Sequence, residues 1–223
     1  MIATQKDVMN QQITDKLTKY FSKYELKKYP KGKLITLANQ EPTGISLLVS
    51  GLVEQYDITP EGNKLTVNVY KPPAFFPMSW AINKTPNAYF FGALTDVELK
   101  QADADETVAF LKANPDVMFD LLSRVYRGTD ALLRRLMLAA SGIAASRLIF
   151  ELLIEAYRFG IENNDGTVLV KVKQSVLAAR SGLARETVSR ELHKLEQESL
   201  ITRSKQEITI DIKSLEQKLD FSI

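Results

Sequence analysis

Four residues in the stretch SGLARETVSRELHKLE, positions 181–196, are of types that read nucleic-acid base edges: Arg185, Glu186, Ser189 and Arg190. An arginine fork pairs with O6 and N7 of guanine, and a glutamate accepts from N4 of cytosine. Helical spacing gathers these four on one side, while Val188, Leu192 and Leu195, spaced four and three apart, fall on the other. A helix decorated only for solvation more often sets Glu and Lys at i, i+4 for mutual pairing. Here the reading types crowd the first two turns, the part of a recognition helix that enters a major groove. The segment 171–206 holds eight Lys/Arg and four Asp/Glu, a modest excess that favours phosphate.

Such a helix, expected over 184–197, needs neighbours to hold it. Upstream, Val176, Leu177 and Ala178 supply the packing face of a shorter helix, and Gly182 allows a turn of helix-turn-helix length. Downstream, ITRSKQEITIDI reads as strand, tip and strand, a small wing, and KSLEQKL closes as a helix. Before them, NNDG is a loop and TVLVKV a short strand. An amphipathic helix carrying Leu148, Ile149, Leu152, Leu153 and Tyr157 precedes these and ends at Gly160, a residue suited to the C′ position.

The middle of the chain is helical. ADETVAFLKAN opens with Asp105 and Glu106, acids that suit a helix N-terminus. Asn114-Pro115 restarts the helix, since proline suits a first turn. From there Met118, Leu122, Val125, Thr129, Leu132, Leu136 and Ala139 alternate steps of four and three, the spacing of a coiled-coil seam. Leu121 and Leu133 widen the stripe, so a helix lying on its own β domain stands as the alternative to a dimer seam. Gly142 breaks it.

The first hundred residues read differently. After a short helix, QQITDKLTKYF, the runs LITLA, ISLLVSGLVEQYDI, KLTVNVY and ALTDVELKQA have strand composition. Turn signals divide them, among them TPEGNK, whose Gly62 marks a hairpin tip. Short strands with regular turns indicate a barrel or double-sheet roll.

Composition closes off several chemistries. No cysteine is present, which excludes disulfides, iron–sulfur clusters and thiolate zinc, and the one histidine, His193, excludes a multi-histidine metal site. His193 itself is read as a solvent or backbone-facing residue. A cupin-type enzyme needs about three histidines and a carboxylate in its roll, and this roll has no histidine. No apolar run reaches the ~20 residues of a membrane helix, and the polar MIATQKDVMNQQITDK is unlike a secretory signal. The expectation is a cytoplasmic protein, not an enzyme, with no metal or cofactor and no membrane partner.

Strand roll, long heptad helix and then LAARSGLARETVSRELHKLEQESLI resemble, over nearly the whole chain, the Crp/Fnr family of bacterial transcription regulators. The resemblance implies an α+β fold: an N-terminal double-stranded β-helix (jelly roll) with flanking helices over 1–114, a long dimerisation helix over 115–141 and a winged helix-turn-helix domain over 142–223. It implies a homodimer with its seam at Met118, Leu122, Val125, Leu132 and Leu136, bound to a palindromic site in double-stranded DNA and acting through RNA polymerase. Arg185, Glu186, Ser189 and Arg190 become the base-reading set, with Lys173, Gln174, Ser175 and Thr187 at phosphates. A half-site with a core like TGA, repeated in inverse one or two helical turns away, follows. The chain departs from the family pattern at Lys173 and Ala184, where family helices usually start on Thr or Ser.

The roll departs further. Cyclic-nucleotide binders of this fold carry a Gly-Glu pair for the ribose and an Arg for the phosphate, because a buried phosphate wants a bidentate Arg and a backbone nest. Here Pro77-Met78 and Asn87-Ala88 stand in those places, and no Arg or Glu occurs between Lys71 and Glu98. Leu132 and Leu133 stand where cyclic-AMP receptors offer hydroxyls. Tight cyclic-nucleotide binding is therefore not expected. Phe75, Phe76, Trp80, Tyr89, Phe90 and Phe91 form either core or the wall of an apolar effector pocket. Met78, Trp80, Asn87, Tyr89 and Leu133 are the candidate lining for an unidentified small-molecule effector. A regulator that works mainly by protein contacts through the roll is the competing function; it leaves the base-reading helix unexplained.

Overall fold

The computed structural model describes residues 11–60, 62–205 and 207–220; positions 1–10, which the expected roll boundary included, and 221–223 lie outside them. The chain forms two compact units that divide within one long helix, after Arg124.

The first unit is a roll of two four-stranded antiparallel sheets. One orders β1 (Leu26–Tyr29), β8 (Val97–Ala102), β3 (Ile45–Ser50) and β6 (Ala74–Phe76); the other orders β2 (Leu34–Thr36), β7 (Phe90–Ala93), β4 (Val53–Ile58) and β5 (Lys64–Tyr70). Inward residues of both sheets make a common core of Leu48, Phe76, Val97 and Leu99 with Val53, Phe91 and Ala93. Phe76 and Phe91 stack across the two sheets with centroids 5.0 Å apart. The β4–β5 hairpin closes where TPEGNK points, with Gly62 N–H donating to Thr59 O at 2.8 Å.

In this unit the sequence reading missed β1, β6, the short α2 (Met78–Asn83) and all of β7 before Ala93. The run ALTDVELKQA also proves to be the end of β7, a turn, and β8. Each of these strands is short, and β1 is exposed along three of its four residues, so neither carries a clear period. α1 (Gln11–Phe21) buries Ile13 and Leu17 against Leu111 and Val117, and Phe21 against Leu47 and Ala102. α3 (Ala104–Ala113) is capped by Asp103, whose carboxylate accepts from Glu106 N–H at 2.9 Å. Asp105 and Glu106 instead pair with Lys84 and Lys23.

α4 runs unbroken from Pro115 to Ser141. Val117 and Leu121 in its first turns pack on the α1–α3 cluster, and Leu138 near its end joins the core of the second unit. The heptad residues Met118, Leu122, Val125, Leu132 and Leu136 remain 39–67% exposed. The apolar stripe is wider than the heptad: Phe119, Tyr126 and Leu133, spaced by sevens, are exposed beside it.

The second unit holds the rest of α4, α5 (Ala144–Phe159), β9 (Ile161–Glu162), β10 (Val168–Lys171), α6 (Gln174–Ser181), α7 (Arg185–Gln197), β11 (Ile201–Ser204), β12 (Glu207–Ile210) and α8 (Ile212–Asp220). Its sheet orders β11-β12-β10-β9. α5 is its hub: Leu148, Ile149, Leu152 and Leu153 are fully buried against Leu177, Val188, Leu192 and Leu215. Gly160 follows α5 in an extended, not left-handed, conformation. Its smallness serves a close approach, since a Cβ there would meet Val168 Cγ1 at 2.2 Å and Ala156 O at 2.4 Å.

Candidate nucleic-acid interface

α6 and α7 meet at Gly182, whose φ of 62° is left-handed and whose N–H donates to Ala178 O. Neither helix has a side-chain cap; the cap positions are Lys173 and Ala184. The turn is held from outside instead. Arg147 on α5 donates through Nε to Ser181 O at 2.9 Å and through Nη2 to Gly182 O at 2.9 Å. A second tie lies one residue back in α6, where Arg180 forms a buried ion pair with Glu155 of α5. A third joins α5 to α4: Arg135 grips Glu151 with two N–H groups, the longer at 2.9 Å, and Glu151 is 1% exposed. Arg147, Glu151 and Glu155 stand four residues apart, so one face of α5 positions both neighbouring helices.

On this frame α7 buries Val188, Leu192 and Leu195 and exposes Arg185, Glu186, Ser189 and Arg190, as the spacing required. Among the described residues, Arg185 and Glu186 have no ion-pair partner, so both are available to a ligand. Arg190 makes one long contact, 3.5 Å to Glu191, with its side chain 63% exposed. Glu191 is buried and accepts from Lys194 at 2.9 Å.

The wing is fastened to this helix by Arg203 on β11. Its guanidinium and its backbone N–H both donate to the Glu196 carboxylate, at 3.0 and 3.2 Å for Nε and N. Those bonds hold the Glu196 carboxyl below the usual carboxylate range. Lys218 of α8 pairs with Glu198 at the far end of α7. A cleft of 240 Å³ lies between the start of α6 and the wing, and it brings Lys173, Gln174 and Ser175 beside Arg203 and Lys205. Sequence reasoning placed the first three at phosphate and missed the two wing cations and the Arg147 clamp. The wing's strand–tip–strand pattern was the available signal for Arg203 and Lys205. Nothing local marks Arg147, which lies 34 residues from its acceptor Ser181. Thr187 is half-buried near the start of α7.

The residues proposed to line an effector pocket do not form one cluster. Met78 and Trp80 pack against Ile45, Ala81 and Ala104, whereas Tyr89 packs on the Leu48–Phe91 core. Asn87 is buried, with its amide donating to Leu37 O at 2.9 Å and Tyr89 O at 2.7 Å, so it braces a loop. Leu133 is an exposed residue of α4. Of the six aromatics, Phe76 and Phe91 are core and Phe90 stacks on Tyr56. Lys84, the cation nearest the cassette in sequence, caps α2 and pairs with Asp105.

Residues 26–114 match the family model of the cyclic nucleotide-binding domain, and residues 146–218 match that of the Crp-like helix-turn-helix domain. The chain is 28% identical to the global nitrogen regulator of Nostoc sp., covering 82% of this chain and 83% of that protein. It is also 28% identical to the transcriptional regulator SdrP of Thermus thermophilus, over 76% of this chain and 81% of that one. Among solved structures, a transcriptional regulator of the CRP/FNR family from Thermus thermophilus superposes with a TM-score of 0.70 at 25% identity, over 88% of this chain and 98% of that one. Roll, long helix and winged helix-turn-helix, with a polar exposed face on α7, together define a DNA-binding transcription regulator. The chain belongs to the Crp/Fnr family. Among the described residues, no helix is long and apolar enough to cross a membrane.

Proposed function

We propose that the protein acts as a homodimer that reads an inverted-repeat DNA site with α7 and meets RNA polymerase there. The observation that carries the reading is the division of α7: three aliphatics at 0–2% exposure on one side, and Arg185, Glu186, Ser189 and Arg190 exposed on the other. Arg190 takes a guanine, and Glu186, one turn earlier, accepts from a cytosine on the complementary strand. Ser189 lies between their levels, and Arg185 reaches a second guanine or a phosphate. Lys173, Gln174, Ser175 and Thr187 meet the backbone, with Arg203 and Lys205 of the wing beside them. The site therefore carries a G·C-bearing half-site like TGA, repeated in inverse.

The exposed stripe of α4 supports the dimer. Each leucine left half in water forgoes part of the ~1.5–3 kcal/mol that full burial contributes, and a parallel two-fold seam recovers it while matching a palindrome. The effector, in this reading, is not a cyclic nucleotide. The roll resembles that domain in architecture, but its cassette lacks both the Arg and the Glu, and Met78, Trp80 and Tyr89 favour an uncharged or weakly polar molecule. Selection from a random-sequence duplex pool tests the whole reading: an enriched inverted repeat is expected, and recovery of no sequence preference overturns it.

A further inference from the structure

The two ends of α4 belong to different bodies, and the chain divides after Arg124. Arg124 ties the helix to the roll: its guanidinium donates to Asp120 at 2.7 Å and to the Pro73 carbonyl at 3.0 Å. Further on, Ala131 and Leu138 pack on the core of the second unit, and Arg135 grips Glu151. Among the described residues of α4, none between Val117 and Leu138 is buried.

Gly128 sits between these two grips. Inside a helix glycine is the least favourable residue short of proline, because its backbone has most freedom to lose. The fold makes no demand for it. Of the ten glycines, Gly128 is the one with neither a left-handed φ nor an atom within 4 Å of the place a Cβ would take. Beside it, the Thr129 hydroxyl donates back to Val125 O at 3.0 Å, a bond that weakens and bends helices. The break at Gly142 is different. Although Gly142 is left-handed, two N–H groups of Arg135 reach Glu151 across it, and Leu138 shares a core with Leu148 and Leu152.

We propose that Gly128 is the hinge of α4, where the roll and the winged-helix unit reorient as separate bodies, while the bend at Gly142 stays fixed. Hinges are a few positions, often small residues, that absorb a change of φ and ψ while the bodies on either side keep their packing. Bending at Gly128 leaves both grips intact, since Arg124 lies before it and Ala131 after it. Bending at Gly142 would part Arg135 from Glu151, which is 1% exposed, and leave a buried charge unpaired. The inference does not depend on DNA reading, because it concerns the free protein.

Distances between spin labels test it. The chain has no cysteine, so labels go only where cysteines are introduced. Lys112→Cys with Ala140→Cys spans Gly128, and Ala140→Cys with Lys213→Cys spans Gly142; all three positions are exposed. Each pair is measured in the full-length protein with and without Gly128→Ala, whose added methyl meets no atom. Labelled chains are exchanged into an excess of unlabelled protein, so that distances within one chain are read. The first pair should show a straight and a bent population in wild type. Gly128→Ala should lower the bent one about two- to fivefold, the factor by which alanine outdoes glycine inside a helix. The second pair should give one narrow distance in both proteins. A first pair that is single and narrow in wild type, or unchanged by Gly128→Ala, overturns the inference, and so does a spread found across Gly142 instead. Sedimentation of Gly128→Ala should match that of wild type. A weakened association with unchanged distances would assign the glycine to a close approach between copies and overturn the hinge.

Discussion

At the scale of single residues, the proposed function assigns the helix-turn-helix two kinds of contact, and substitution separates them. Arg190 is exposed and held by nothing stronger than a 3.5 Å contact, so it is available for a bidentate grip on guanine. Arg190→Ala should cost about 1–3 kcal/mol at its cognate site and relax the selected sequence at one position. Lys173, at the start of α6 beside Arg203 and Lys205, should behave otherwise: Lys173→Ala should weaken all sequences alike and lower the salt slope by about one. Selection on both variants checks this, and an unchanged logo for Arg190→Ala would show that α7 does not read bases in this way. A pH-dependent fastening sits nearby. The Arg203 bonds depress Glu196, so their stabilising effect is present above the ordinary carboxylate range and is lost as pH falls through the lower folded value. Protection of the β11 amides, relative to their intrinsic exchange rates, should therefore fall in acid, and Glu196→Gln should show the reduced protection already at neutral pH.

At the scale of elements, α5 decides where α7 stands. Its Arg147 satisfies two carbonyls at the end of α6 that helix geometry leaves without partners. Arg147→Ala should lower the stability of the winged-helix unit by about 2 kcal/mol, the scale of a hydrogen bond to a charged donor, seen as a fall in Tm. Arg147→Lys should restore little, because a single ammonium cannot reproduce the fork across Ser181 and Gly182. α4 makes the complementary case. Its Leu132 stays 45% exposed, so Leu132→Asp should leave the fold intact. It should weaken the proposed dimer, and sedimentation at micromolar concentration should show a shift toward monomer. A monomeric wild type would remove the seam from the proposal.

At the scale of the whole molecule, the roll has the architecture of a cyclic nucleotide-binding domain without the charges that hold a phosphodiester. Calorimetry should find cyclic AMP and cyclic GMP binding no better than about millimolar, a loss of about 4 kcal/mol against a micromolar binder. Micromolar affinity for either would mean that cations outside 72–97 serve the phosphate. Of the aromatics of that stretch, Phe76 and Phe91 fill the space between the sheets, where they stack on one another.

The parts of this protein legible in its sequence are those set by local periodicity. The split face of α7, the heptad of α4, the end of α4 before Gly142 and the left-handed turn at Gly182 all follow from spacing within a few residues, and each is where the sequence placed it. Tertiary structure alone decided what depends on partners far along the chain. Glu155 and Glu151 went unmarked in the sequence, yet both are buried because Arg180 and Arg135 reach them from other helices. Gly160 reads as a helix stop, and its true constraint is the side chain of Val168. The short strands β1 and β6 exist only because β8 and β3 offer them edges to pair with. A carboxylate, a glycine or a three-residue strand has no period of its own, so its role is fixed by whichever distant residue the fold brings against it.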